Sequence, residues 1–245
     1  IEEAQLRLKG DEKAYIPEET VALQGLAMVN RHAVVEVGQR CPDQKIATVD
    51  QDATIIESRK QEAKATYEGS RGYQPMLAVW AETGLILSDE FRDGNVPAMM
   101  SPLSGAKAAF GALPTTVETF YYRGDSASHE HELMDWLRDP EREGGPKGFI
   151  GFGISARMSV ELSKAIAGVA GDQWQTLKEE SDAVRSCAEV AFVPGERSEK
   201  KDSQPQRYIA IRIEKKQGHL YDDGSRVRHF AVVTNIEEWG AAKLI

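Results

Sequence analysis

The alternation of apolar and polar positions predicts strands in the first half of the chain. β-branched residues partly alternate with polar ones over residues 46–56, and apolar runs follow at residues 72–80 and 85–91 around a short loop that ends at Gly84. Alternation with period two is typical of a half-buried strand, and two such runs joined by a short glycine-containing loop indicate a hairpin. Because no helical pattern separates these runs, we expect three antiparallel neighbours.

Strand-like and helix-like patterns alternate in the following segment. Apolar residues at helical spacing and terminating residues predict three helices and two further strands. The helices are predicted over residues 106–113, 130–138 and 159–169, and the strands over residues 116–123 and 148–154. Strands linked by helices are usually parallel, so the order βββαβαβα predicts an α/β fold with a mixed sheet.

The two ends of the chain have a different character. Apolar runs separated by polar loops predict three more strands, over residues 188–193, 208–213 and 227–233, while residues 1–45 are compatible with one or two helices. We therefore predict four segments: a helical N-terminal remnant at 1–45, a core at 46–170, a β-rich insertion at 171–233, and the start of a final core helix at 234–245.

Composition narrows the class of protein. With 245 residues, of which 41% are hydrophobic and 28% charged, the chain is neither disordered nor fibrous. No apolar run of about 18 residues is present, and Ile1-Glu2-Glu3-Ala4 does not resemble a secretory signal, so we expect a cytoplasmic protein without a membrane span. Cys41 and Cys187 lie far apart, which indicates neither a disulfide framework nor a zinc cluster.

The charge is unevenly distributed along the sequence. The net charge of −9 argues against non-specific coating of nucleic acid by the whole surface. Residues 197–228, however, contain nine Lys/Arg against five Asp/Glu, an excess of +4. This local excess makes the β-rich insertion a candidate for contact with a DNA backbone.

The strongest chemical feature is a pair of carboxylates on the first predicted strand. Side chains alternate on a strand, so Asp50 and Asp52 project from the same face. Two such carboxylates repel each other unless a cation or proton lies between them, and oxygen ligands of this kind suit Mg²⁺ or Mn²⁺. The alternative is an exposed strand edge with two solvated acids.

A third acid follows the predicted strand over residues 116–123. Gly124 permits a sharp turn, and Asp125 would then lie at the carboxyl edge of the sheet, where ligands gather in such folds. If this strand is a neighbour of the first, Asp125 lies beside Asp52. The alternative is that Asp125 and Ser126 cap the following helix, since both residue types are favoured there.

The segment from Asp50 to Thr54 also matches the DxDxT signature of haloacid-dehalogenase-type phosphohydrolases. In that interpretation Asp50 is the nucleophile, Asp52 an acid/base, and Asp222-Asp223 the late acidic pair. We rank it second for two reasons. The predicted antiparallel hairpin after the motif does not suit that family, and Asp222-Asp223-Gly224 is typical of a turn between strands.

Several motifs, taken in order, resemble the DDE transposases of bacterial insertion sequences and, more narrowly, the group-1 transposase DDE domain. The resemblance covers residues 45–245 and is more specific than any one of its motifs. The motifs are Val49-Asp50-Gln51-Asp52-Ala53-Thr54, the run from Tyr67 to Leu77, Arg92-Asp93-Gly94-Asn95, Arg123-Gly124-Asp125-Ser126, and Phe230-Ala231-Val232-Val233-Thr234-Asn235.

The resemblance implies a ribonuclease-H-like core that cleaves DNA and transfers strands at the ends of an insertion sequence, using two Mg²⁺ or Mn²⁺ ions. It implies Asp52 as the first catalytic and metal-binding acid and Asp125 as the second, with Asp50 as a close alternative to Asp52. It further implies double-stranded DNA as the partner, both transposon ends and target, and a homodimer in the synaptic complex.

The same family carries a third acid, a Glu in a Tyr-xx-Arg-xxx-Glu pattern on a helix after the β-rich insertion. No such pattern occurs before Ile245, and the helix dipole explains Glu237 and Glu238 more simply. We therefore expect a core truncated at both ends and incomplete as an enzyme. A catalytically inactive remnant that at most binds DNA is the competing hypothesis.

Two groups of basic residues are predicted to contact DNA. One lies between the first strands and after the fourth, near the predicted metal site, and the other lies in the β-rich insertion together with Tyr208, Arg226 and Arg228. The first group is Arg59, Lys60, Lys64, Arg71 and Arg123; the second is Arg212, Lys215 and Lys216.

Overall fold

The computed structural model describes residues 13–195 and 204–245. The chain divides into two compact units, Ile1–Ile150 and Gly151–Ile245, which we call unit 1 and unit 2. The first twelve residues of the predicted N-terminal segment lie outside the described residues, and so do residues 197–203 of the basic stretch. The predicted boundaries at residues 45, 170 and 233 divide the chain by function and stay predictions.

Unit 1 combines helices with a mixed sheet. Its helices are α1 (Val21–Arg40), α2 (Pro102–Ala112) and α3 (His131–Arg138). Its strands are β1 (Ile46–Ala53), β2 (Ile56–Glu57), β3 (Lys64–Ala65), β4 (Arg71–Tyr73), β5 (Met76–Trp80), β6 (Leu85–Glu90) and β7 (Thr119–Gly124).

The main sheet of unit 1 has the order β6-β5-β1-β7, with β1 inside it. β5 is antiparallel to both β1 and β6, whereas β7 is parallel to β1. Three antiparallel strands followed by a helix-linked parallel strand confirm the predicted α/β class with a mixed sheet. α1 lies within the segment that the sequence assigned to one or two helices.

One face of β1 is buried and the other is open. Ala47, Val49 and Gln51 are buried, while the alternating residues are at least partly exposed. The Gln51 side-chain amide donates to the Pro102 carbonyl oxygen over 2.9 Å, so α2 covers the buried face. Asp50 and Asp52 therefore project from the opposite side, which we call the open face.

A second, three-stranded sheet with the order β2-β4-β3 lies in the segment between β1 and β5. The sequence pattern indicated only a polar stretch here, because strands of two or three residues are too short to establish a period. The Arg71 guanidinium holds this sheet together by donating to the carbonyl oxygens of Ala63, over 2.9 Å, and Gln61.

A buried arginine organises the loop that follows α3. The Arg142 side chain is only 1% exposed, and its guanidinium donates to carbonyl oxygens at the end of α3 and in the loop. The acceptors are the carbonyls of Trp136, Leu137, Pro146 and Gly148. Desolvation by burial lowers the pKa of Arg142, and these acceptors satisfy the charge that is buried with it.

Unit 2 is built on an antiparallel sheet with the order β8-β12-β11-β10-β9. Its strands are β8 (Ile150–Ser155), β9 (Gln175–Glu179), β10 (Ala183–Phe192), β11 (Gln206–Lys215) and β12 (Val227–Thr234), and its helices are α4 (Val160–Ala167) and α5 (Ala241–Leu244). The predicted strands of the β-rich segment are present. β9, which is largely polar and exposed, was missed.

The predicted final helix begins later than expected. Thr234 still belongs to β12, and the helix starts only at Ala241, after the Gly240 cap. Glu237 and Glu238 therefore lie in an irregular, exposed segment before the helix and not at its first turn, so the helix-dipole explanation given for them was wrong. Ala241 packs with Cys187 and Ile209 in the core of unit 2.

None of the helices in the described part of the chain combines the length and the apolarity that crossing a membrane requires.

Candidate functional site

Asp52 and Asp125 occupy adjacent positions at the carboxyl ends of two parallel strands. The β1–β7 register pairs Asp50 with Arg123 and ends with the pair of Gln51 and Gly124, so Asp52 and Asp125 are the residues that directly follow the last pair. Neighbouring strands lie about 4.8 Å apart, and paired residues project from the same face. Both acids therefore lie at the same edge of the sheet, just past the end of the β1–β7 pairing, and both are exposed.

The turn that carries Asp125 is fixed by buried contacts. Asp125 caps the 3₁₀ turn Ser126–Ser128, where its Oδ1 accepts from the Ala127 N–H over 2.9 Å. The buried Tyr122 hydroxyl donates to the Ser128 Oγ over 3.0 Å, which ties the turn back to β7. The sequence alternative, in which Asp125 caps the following helix, is wrong, because Glu130 caps α3 and Asp125 caps only this turn. The cap holds Asp125 at the edge of the sheet.

Gly124 is required by this packing. A Cβ atom at this position would lie 2.5 Å from the Ser128 Oγ and 2.6 Å from the Ser128 Cβ, closer than such atoms approach in proteins. Sequence reasoning noted the glycine as a turn former but missed Tyr122 and Ser128 as the residues that position Asp125. A glycine directly before the acid was the available signal for this close approach.

The electrostatics of the site disfavour the ionised form of Asp52. Partial desolvation raises the pKa of Asp52, a hydrogen bond from the Ala53 N–H opposes this effect, and the nearby carboxylates of Asp125 and Asp50 raise it further. Burial also raises the pKa of Tyr122, so its hydroxyl remains a hydrogen-bond donor to Ser128 at neutral pH.

Asp50 is engaged differently from Asp52. Its two carboxylate oxygens accept from the Arg123 guanidinium, from Nε over 3.1 Å and from Nη2 at close range. Such two-point pairing is the strongest geometry for an arginine and a carboxylate. Arg123, which the sequence predicted to contact DNA, is thus bound to Asp50. Both oxygens of Asp50 are engaged by this arginine, so neither is free to attack a substrate.

The donor set fits a divalent cation that prefers oxygen. Asp52 and Asp125 supply two carboxylates on one open face, and their repulsion is the kind that a cation between them relieves. Mg²⁺ and Mn²⁺ bind through one or two carboxylates and keep several waters. Within residues 13–195 and 204–245, no group of three or more His, Cys, Asp or Glu is arranged to hold a metal.

The basic residues near this site differ in how they are used. Arg59 and Lys60 are exposed, and Lys64 is half-buried in β3. The Arg71 guanidinium is already occupied by the two carbonyl oxygens of its own small sheet. Of this predicted DNA-binding group, Arg59 and Lys60 are the residues with charged ends most open to a partner.

The basic residues of unit 2 are largely neutralised by acids of the same unit. Lys215 pairs with Asp182, and Lys216 lies 2.8 Å from Glu179. Arg212 donates to the Ser186 Oγ over 3.3 Å and stacks on Trp174, with its Cζ 4.4 Å from the ring centroid. Two further arginines follow the same pattern: Arg226 lies 3.2 Å from Glu214, and Arg228 lies 3.3 Å from Asp223.

Two expectations for this surface change with the structure. Tyr208, placed by the sequence among the DNA-contacting residues, is completely buried and cannot touch a partner. The local excess of +4 also disappears at the level of the unit, because Gly151–Ile245 contains 14 Lys/Arg and 14 Asp/Glu. The acids that balance the charge lie partly on β9 and in the turn before β10, outside residues 197–228.

Asp222 and Asp223 lie in the connection between β11 and β12, as the turn interpretation predicted. The Asp223 Oδ1 accepts from the backbone N–H of Ser225 over 2.9 Å and from its hydroxyl over 2.6 Å. These hydrogen bonds and Arg228 lower the pKa of Asp223, which gives it a structural role in the hairpin.

A comparison with models of known protein families found no match, and no curated protein sequence is significantly similar to this chain.

Proposed function

We propose that this chain is a metal-dependent phosphodiester-cleaving core of the ribonuclease-H-like type, related in function to the DDE transposases of insertion sequences, with Asp52 and Asp125 as its metal ligands. The observation that carries the proposal is the register of two parallel strands, whose last pair, Gln51 and Gly124, directly precedes the two acids. The antiparallel β6-β5-β1 arrangement beside a parallel β7 is compatible with such a core.

The chemistry of this pair suits a phosphodiester substrate. A divalent metal held by two carboxylates supplies Lewis-acid stabilisation of the charge that develops at a phosphodiester. Asp52 and Asp125 would hold the metal, while the Tyr122–Ser128 hydrogen bond keeps the Asp125 turn in place. Arg59 and Lys60, which are exposed on the segment that follows β1, would contact the phosphates of a DNA strand.

The pairing of Asp50 with Arg123 favours this proposal over the phosphohydrolase alternative. A carboxylate bound at both oxygens by a guanidinium is a poor nucleophile, whereas the DxDxT mechanism requires Asp50 to attack phosphorus. In addition, β5, the first strand of the main sheet to follow β1 along the chain, is antiparallel to β1, which does not suit the phosphohydrolase family.

The test is a titration of the protein with Mn²⁺, in which the electron paramagnetic resonance signal measures the concentration of free ion. We expect the wild-type protein to bind Mn²⁺ with a Kd of about 0.1–1 mM, as for sites with few charged ligands. The D52N and D125N variants should each weaken binding at least about tenfold, because each removes half of the charged ligand set. D43N is the matched control, since Asp43 is an exposed acid near the opposite end of β1.

Equal Mn²⁺ affinity in D52N, D43N and the wild-type protein would refute the site. Cleavage is tested separately by nicking of supercoiled DNA in Mn²⁺, which D52N and D125N should abolish. Site-dependent Mn²⁺ binding without nicking would support the competing hypothesis of a catalytically inactive, DNA-binding remnant.

A further inference from the structure

The open face carries a third carboxylate that is close to the proposed metal-binding pair. Asp50 precedes Asp52 by two residues on β1, so the two side chains share a face with their Cα atoms about 6.6 Å apart. The β1–β7 register places Arg123 directly beside Asp50, and Asp52 and Asp125 follow the next and last pair of that register. Three acids and one arginine therefore lie close together where the β1–β7 pairing ends.

The Asp50–Arg123 pair lies at the surface. The Arg123 side chain is 62% exposed and that of Asp50 is 38% exposed, so no buried packing locks either of them in this position. An exposed ion pair contributes little to folding, typically about 0–1 kcal/mol. The effect of the pair is chemical, because the guanidinium occupies both carboxylate oxygens of Asp50.

We propose that Asp50 is a masked third carboxylate of the metal site, held out of the ligand set by Arg123. The inference rests on the proposed function, because it presupposes metal binding at Asp52 and Asp125. Arg123 is then a positioning residue that limits how tightly the site binds a divalent cation. Releasing Asp50 would give three carboxylates on one face, within reach of ions about 3.5–4 Å apart.

The proposal predicts a gain of metal affinity from the loss of an arginine. In R123Q, Asp50 loses its partner and becomes available to the site, so Mn²⁺ should bind about tenfold more tightly or better. The double variant D50N/R123Q lacks the released carboxylate, so its affinity should return to the wild-type value. R40Q is the matched control, because it makes the same substitution in an exposed Arg–Glu pair of α1.

Removing the positive charge of Arg123 also strengthens cation binding by reducing long-range electrostatic repulsion. Measurements at two salt concentrations distinguish this effect from direct coordination by Asp50. At about 0.5 M NaCl the Debye length is about 4 Å, so an interaction over the distance between β1 residues is largely screened, while a metal–carboxylate bond is not. The Mn²⁺ titrations are therefore run at about 0.1 M and about 0.5 M NaCl. The tenfold gain of R123Q should persist at the higher concentration.

Two results would overturn the proposal: a gain in R123Q that falls below about twofold at the higher salt concentration, or a gain that survives in D50N/R123Q. The same titrations of D52N/R123Q distinguish this failure from failure of the proposed function. If Mn²⁺ binding depends on Asp52 but not on Arg123, only the masking is wrong; if it does not depend on Asp52, the metal site itself is wrong.

Discussion

The substitution Gly124→Ala tests whether the packing under Asp125 is coupled to the proposed metal site. The added methyl group would lie 2.5 Å from the Ser128 Oγ and 2.6 Å from the Ser128 Cβ. Ser128 is only 1% exposed, so it has little room to move away. Relief of the clash therefore displaces the turn and with it the hydrogen bond from Tyr122.

The size of the effect follows from two contributions. Overpacking a well-filled site typically destabilises by about 1–3 kcal/mol. Displacing Ser128 also leaves the buried Tyr122 hydroxyl without its acceptor, a penalty of about 1–3 kcal/mol. Moving the turn relieves the clash but breaks the hydrogen bond, so the two penalties do not add in full. We therefore expect a loss of about 2–4 kcal/mol in the free energy of unfolding. Mn²⁺ affinity should fall as well, because Asp125 caps the displaced turn.

Urea denaturation measures the loss, and Gly111→Ala is the matched control. Gly111 lies in α2, where an added Cβ atom would meet no other described residue within 4 Å, so alanine there should stabilise the helix by about 0.5–1 kcal/mol. A G124A protein as stable as G111A would refute the packing argument. A destabilised G124A protein that binds Mn²⁺ like the wild type would refute the coupling to Asp125.

Three further predictions concern single residues. The surroundings of Asp52 raise its pKa above the ordinary 3.8, so its ionised carboxylate opposes folding. At neutral pH and without metal, D52N should therefore have a higher melting temperature than the wild type, whereas D43N should not. That difference should shrink as the pH falls through the raised pKa and vanish below 3.8, as calorimetry at several pH values would show. In urea denaturation, the free energy of unfolding of R142M should be about 3–5 kcal/mol lower than that of the wild type, because the substitution leaves four carbonyl oxygens without their donor. R207A removes the donors to the carbonyls of Ile236 and Trp239, so amide hydrogen exchange over residues 235–240 should accelerate while β12 stays protected.

The sheet of unit 1 was predictable because its strands are long enough to show a period. β1, β5, β6 and β7 each run for five to eight residues with apolar runs or alternation, and the sequence located all four. The strands β2, β3 and β4 have two or three residues each and depend on contacts such as those of Arg71. No local pattern encodes contacts of this kind, so the small sheet was missed.

The site was predictable in part for the same reason. Strand alternation correctly placed Asp50 and Asp52 on one face, but it could not distinguish their environments. What distinguishes them is Arg123, which is 73 residues away from Asp50 and reaches it only through the β1–β7 register. Lys215 and Lys216 give a second example, since their partners Asp182 and Glu179 come from a turn and strand outside the basic stretch.

The distribution of charge determines how this chain could engage a polyanion. Unit 2 is balanced, so the whole net charge of −9 belongs to Ile1–Ile150, the unit that holds the two acids. DNA approaching the open face of β1 would therefore meet repulsion unless cations intervene. A divalent ion bound between Asp52 and Asp125 would neutralise their two negative charges at the point where a phosphodiester would lie. The acidity that argues against non-specific DNA coating is thus consistent with a DNA contact that depends on metal, and such a contact should be lost in EDTA while added monovalent salt fails to restore it.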